Sequence, residues 1–159
     1  MKLTDTLTEK TIILPLLASA KLDSIKELLN RLLNENYLTA TTKLFSLIDE
    51  HDKSLNSAVG KATAIHYSSS VEINKPVSVF GISKEGIDYN SPDSQKVHFI
   101  FLILDSVNNP IEHRKIITRF QHFINEHDVK SKILSSDSSN DIMKMIVNWE
   151  EEYLFNEKI

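Results

Sequence analysis

No cysteine occurs in the sequence, which excludes a disulfide framework, a thiolate nucleophile and any Cys-ligated zinc or iron–sulfur site. Glycine is scarce: with only Gly60, Gly81 and Gly86, neither a P-loop nor a GxGxxG turn can be written, and a nucleotide-using enzyme is disfavoured. A GxSxG elbow is missing too, and Ser68–Ser70 follow no pattern that singles out a nucleophile. Positive charge is not in excess. Eighteen Lys and Arg face 22 Asp and Glu, a net charge of -4, which argues against nucleic acid or anionic lipid as a general partner. Long apolar runs are also lacking: TIILPLLASA, ten residues broken by Pro15, is too short to span a bilayer, and MKLTDTLTEK before it mixes acid with base. The expectation is a soluble cytoplasmic protein without membrane insertion.

What the chain does contain suits one globular domain over residues 1–159, with 41% hydrophobic and 25% charged residues. Leu22, Ile25, Leu28, Leu29, Leu32 and Leu33 recur at helical spacing and predict a helix from Ser19 to about Asn34. A second helix is expected to start at the Thr39–Thr42 cluster, capped by hydroxyls, and to end before the polar stretch Asp49–Ser54. Ala58–His66 reads as a short strand emptying into a loop at His66, and Pro76–Ile82 as another strand, with Gly81, Gly86 and Pro92 in the loop that follows. Val97–Leu104, VHFIFLIL, is apolar on both alternating faces and predicts a central strand covered on each side. Asn108, Asn109 and Pro110 then open a helix through Ile124, a short helix follows around Val129–Leu134, and Ser138 with Asp141 opens the last one. The order predicts an α/β fold, a three-layer α/β/α sandwich with a central mixed sheet.

Histidine supplies the candidate chemistry, because imidazole titrates near neutral pH and acts as nucleophile, acid, base or ligand. Of the residues at 51, 66, 98, 113, 122 and 127, two stand out by position. His66 ends a strand and His113 lies in the first turn of the helix after the central strand, which puts both at one end of the sheet if the two strands are parallel. His98 reads as a satisfied core imidazole, and His122 and His127 suit a helix C-terminus. The histidines match no metal-ligand spacing, so no metal is expected.

Gly60–Lys61–Ala62–Thr63–Ala64–Ile65–His66, Gly86–Ile87–Asp88, Asp93, Val97–Leu104 and Glu112–His113 resemble, in order and spacing, the type-2 enzyme IIA domain of the bacterial sugar phosphotransferase system. This is the fructose, mannitol and nitrogen-regulatory group, and the likeness covers nearly the whole chain. The family carries a pattern like G-x-G-x-A-x-P-H around its phosphorylated histidine. Here that histidine maps to His66 and the family's second histidine to His113. The proline of the pattern is replaced, with Ile65 in its place either by substitution or by a one-residue deletion, and its second glycine is Lys61 or Ala62 depending on the gap. An upstream Arg–Glu pair of the family corresponds, with that gap, to His51–Asp52, and the residue after the second histidine, usually leucine, is Arg114.

The resemblance implies that a nitrogen of His66 accepts a phosphoryl group from a histidine phosphocarrier protein. His113 would then donate to phosphate oxygen or orient the ring, with Lys61, Arg114 and His51 as the available substitutes for the missing arginine. No cofactor is implied. Downstream partners would be an enzyme IIB acceptor or a regulated transporter or kinase, and the alternatives are a nitrogen-type regulatory role or a non-phosphorylated interaction module. Asp49, Glu50, Asp52, Glu85, Asp88 and Asp93 are expected to form an acidic rim around His66.

Overall fold

VHFIFLIL becomes the middle of the molecule. In the computed structural model, which describes residues 1–108 and 112–158, strand β5 (Val97–Ser106) lies between β4 (Val77–Ile87) and β3 (Thr63–Ser70). The sheet has the order β1-β4-β5-β3-β2, with β1 at Ile12–Ile13 and β2 at Ala58–Gly60. β3 runs parallel to β5 and β1 parallel to β4, whereas β4–β5 and β2–β3 are antiparallel, so the sheet is mixed. Helices α1 (Lys21–Asn34) and α2 (Thr42–Ser54) cover one face, and α3 (Glu112–Ile124), α4 (Val129–Leu134) and α5 (Ser139–Glu157) cover the other. The chain is the three-layer α/β/α sandwich predicted. Among the described residues no helix is long and apolar enough to cross a membrane.

The two-sided apolar strand works because each face meets its own helix layer. Ile100, Leu102 and Leu104 pack with Ile25, Leu28, Leu29 and Leu32 of α1, while Phe99, Phe101 and Ile103 pack with Ile116, Phe120 and Phe123 of α3. Phe101 stacks on Phe120 with ring centroids 4.1 Å apart, and Phe80 meets the same ring edge-on at 5.2 Å. Burial of each such side chain contributes about 1.5–3 kcal/mol.

Several local expectations are corrected. α2 continues through the polar stretch to Ser54, since those residues form its solvent side, and Asp49 and Lys53 pair at 3.5 Å. Thr41 is its N-cap residue but makes no side-chain cap bond, and Thr39 instead bonds Glu72. Gly81 and Gly86 lie within β4, not in a loop. At Gly81 a Cβ would meet Leu16 and Leu28 at 2.8–2.9 Å, so its bare backbone is what lets the N-terminal segment and α1 close on the sheet. Asn109 and Pro110, expected to open α3, lie outside the described residues. Ser138 does cap α5, accepting from the backbone N–H of Asp141 at 3.2 Å.

Candidate functional site

His66 is not at a loop. A two-residue turn at Lys61 and Ala62 closes a hairpin, and β3 then runs on through Ser70 because all eight of its residues pair with β5. That register overrides the weak strand preference of three serines. Successive side chains of a strand point to opposite faces, so His66 and Tyr67 look into different layers.

His66 faces α1 and α2. It is 2% exposed, and its Nε2 lies 3.1 Å from the Tyr89 hydroxyl, which in turn is 2.8 Å from Ser24 Oγ. Beside this chain, Lys21 and Asp52 form an ion pair, and the Asp52 carboxylate also accepts the Ser57 N–H at 2.9 Å. Burial pushes the His66 pKa down to about 4; the Asp52 charge opposes the fall, and Lys21 and His51 add to it. The ring is therefore neutral throughout the physiological range. Burial works against ionisation of Asp52 as well, but its bonds to Lys21 and Ser57 hold its pKa below the usual value.

Tyr67 faces α3, where its ring stacks on His113 with centroids 3.8 Å apart and planes 15° from parallel. His113 Nδ1 is 2.9 Å from Oδ2 of Asp105, the penultimate residue of β5, and the same oxygen accepts the backbone N–H of His113 at 3.1 Å. One buried carboxylate thus caps the start of α3 and orients the imidazole. The register sets Ser69 opposite Asp105, and Arg114 stands next to His113 with its side chain in solvent. Burial raises the Tyr67 pKa, the Asp105 charge adds to that, and Arg114 and a hydrogen bond from Ser69 oppose it. These groups gather where the parallel strands β3 and β5 end, the part of an open α/β sheet where crevices form. The expected parallel pairing of the two strands is present, but the expected shared crevice is not: His66 and His113 lie on opposite faces.

The other predicted residues scatter. Lys61 sits in the β2–β3 turn, at the far end of β3 from Ser70, with its backbone N–H on Asp93 at 2.8 Å. His51 is exposed on α2, on the His66 side, and Arg114 belongs with Tyr67 and His113. The acidic rim does not form around His66. Asp52 is paired internally, and Glu85, near the C-terminal end of β4, lies with Asp88 and Asp93 of the β4–β5 connection at the opposite end of the sheet from Asp105. Just past the paired strand ends Ser70 and Ser106, at the same end of the sheet as Asp105, Val71 is 83% and Val107 46% exposed.

His98 is half-buried with Nδ1 2.8 Å from the Ser83 carbonyl, a satisfied core histidine. Sequence reasoning missed Tyr67, Asp105, Lys21 and Tyr89. A signal for Tyr67 existed: laid on G-x-G-x-A-x-P-H without a gap, Gly60 to Tyr67 puts Ala62 on the second glycine, His66 on the proline and Tyr67 on the histidine.

Residues 5–149 match the family described as phosphoenolpyruvate-dependent sugar phosphotransferase system, EIIA 2. The fructose-specific EIIABC component of Bacillus subtilis (strain 168) is 25% identical over 146 residues, 92% of this chain and 23% of that protein, so the chain spans less than a quarter of this relative. Among solved structures, the nitrogen regulatory protein IIA-Ntr from Neisseria meningitidis superposes with a TM-score of 0.80 at 17% identity, covering 90% of this chain and 97% of that one. Enzyme IIA mannitol of Escherichia coli, solved in complex with phosphorylated enzyme IIB mannitol, gives 0.73 at 18% identity, covering 89% and 97%. Identities this low carry the fold and leave the chemistry to the residues.

Proposed function

The chain belongs to the EIIA type 2 family of the phosphoenolpyruvate-dependent sugar phosphotransferase system, and from that membership we propose that it is a docking and regulatory IIA-type module in which His66 is a core residue, not the phosphoryl acceptor. Its partner is a histidine phosphocarrier protein, met at the C-terminal end of β3 and β5. The observation that carries this reading is the split between neighbours: His66 is 2% exposed beneath α1 and α2, while Tyr67 and His113 stack at the end of the sheet. Phosphoryl transfer needs in-line approach of a donor to within about 3–3.5 Å of its nucleophile, and a sealed ring does not offer it.

The rim supports a protein partner. Just past the ends of β3 and β5, Val71 and Val107 expose branched apolar side chains of the kind found at an interface centre, and the exposed Arg114 in the first turn of α3 adds a charged group. An enzyme IIB domain, the partner bound by the mannitol relative, or a regulated transporter or kinase would use the same surface downstream.

The test is calorimetric titration of the chain with the histidine phosphocarrier protein. Val71→Asp combined with Val107→Asp is expected to weaken binding by at least about tenfold without changing the fold. Glu85→Lys, at the other end of the sheet, is expected to leave binding unchanged. Absence of binding, or equal weakening by both variants, overturns the reading.

A further inference from the structure

We infer that the Nε2 atom of His113 is itself a phosphoryl-accepting nitrogen, held in its nucleophilic tautomer by Asp105. The inference rests on docking of a phosphohistidine carrier at this end of the sheet and adds which atom receives its group. An imidazole is a nucleophile only through a ring nitrogen without a proton, so the position of the other proton decides reactivity. Asp105 decides it here. Its Oδ2 lies 2.9 Å from Nδ1 and accepts the Nδ1 proton, which leaves the Nε2 lone pair free. The carboxylate is buried at 0% exposure on the last full turn of pleat before the strand ends, so its direction is fixed by the sheet.

Three further observations favour His113 over its neighbours. The Tyr67 ring, stacked at 3.8 Å, covers one face of the imidazole and restrains its rotation. The His113 side chain is 14% exposed, within reach of a visiting group in a way that His66 is not. The Tyr67 hydroxyl, the other oxygen or nitrogen nucleophile at the stack, is held protonated by burial and by the Asp105 charge. Arg114, adjoining in sequence and exposed, is the cation available to phosphoryl oxygens.

In the transfer, the Nε2 lone pair of His113 forms the new bond to phosphorus as the N–P bond of the carrier's phosphohistidine breaks. The carrier's ring reacts with a proton on its other nitrogen, takes back the bonding pair and leaves as neutral imidazole. His113 becomes a phosphoimidazolium whose Nδ1–H remains bonded to the Asp105 carboxylate, so the positive charge arises beside a fixed negative one. No metal, oxidant or water takes part.

The experiment incubates the full chain with phosphoenolpyruvate and the two general carrier proteins of the system, and reads intact mass before and after mild acid. The wild type and His66→Gln are expected to gain one acid-labile phosphoryl group, and His113→Gln none. Asp105→Asn is expected to slow labelling by roughly a hundredfold, because an amide N–H facing Nδ1 moves the ring proton to Nε2. Nitrogen NMR of the imidazole should report that tautomer change, which loss of a merely structural contact would not produce. Carrier binding by His113→Gln, measured in parallel, keeps the result readable. Labelling that survives His113→Gln overturns the assignment, as does an unlabelled wild type that still binds the carrier; if the carrier does not bind either, the docking reading falls as well.

Discussion

A histidine buried beneath two helices is stable only while it stays neutral and its ring nitrogen keeps a partner, and position 66 meets both conditions through Tyr89 and Ser24. The consequence is a pH dependence of known sign. The unfolded ring has a pKa near 6.5 and the folded ring one near 4, so between those values the unfolded chain binds a proton that the folded chain refuses, and stability falls as pH drops. The difference corresponds to about 3 kcal/mol lost from pH 6.5 to 4. Asp52, whose folded pKa is lowered, loses stability in the same direction as it protonates. His66→Gln retains a partner for the Tyr89 hydroxyl and does not titrate. Urea melts at several pH values should therefore show the wild-type curve falling more steeply by about 3 kcal/mol over this interval; parallel curves would mean the ring protonates in place. At this scale the sequence was readable as to residue type and misleading as to face, since one position of alignment exchanges the buried histidine for the stacked tyrosine.

The β2–β3 hairpin shows how an element is decided by its turn. Lys61 and Ala62 both take positive φ, 55° and 63°, the pair of left-handed residues that a tight hairpin turn requires. Asn-Gly is the favoured sequence for such a turn, and neither residue here relieves the Cβ clash, a cost of roughly 1–2 kcal/mol at each position. Ala62→Gly removes that cost but gives the unfolded chain more freedom, about 0.4–1 kcal/mol in the opposite sense. Because Ala62 also packs lightly against the α3-side core, the net gain expected is about 0.5 kcal/mol, read as a higher urea midpoint at unchanged slope. A lower midpoint would mean that the methyl contact outweighs backbone relief. This turn also explains why the sequence predicted one extended segment where the fold has two strands: without a glycine pair the reversal has no local signal. Helices α1, α3 and α5 and strand β5 were legible because their apolar periodicity matches the layer that buries them. β1 was not, since two residues, Ile12 and Ile13, earn their strand geometry only by pairing with Phe80 and Gly81.

Long-range closure of the whole molecule runs through Glu150. This carboxylate on α5 is buried, yet it accepts the backbone N–H of Leu3 at 2.7 Å, the N–H and hydroxyl of Thr4 at 3.0 and 2.7 Å, and an Arg119 guanidinium nitrogen at 3.2 Å. It joins the N-terminal turn, α3 and α5, and so holds the segment that delivers β1 to the sheet edge, where Thr6 accepts the Ser78 N–H at 2.8 Å. Nothing in the sequence marks it, because a glutamate on a helix reads as solvated until its distant partners are placed. Glu150→Ala leaves Arg119 without its ion pair and two amide donors without acceptors, a loss of roughly 3 kcal/mol. For a chain of this length that lowers Tm by about 10 °C. The damage should be local before it is global: hydrogen exchange at Leu3 and Thr4 should accelerate at temperatures where the β5 amides remain protected, because the α3–β5–α1 core does not depend on this carboxylate. An unchanged Tm, or exchange that rises equally in β5 and at the N-terminus, would show that the N-terminal segment is held by its apolar contacts at Leu3 and Leu7 rather than by the buried charge.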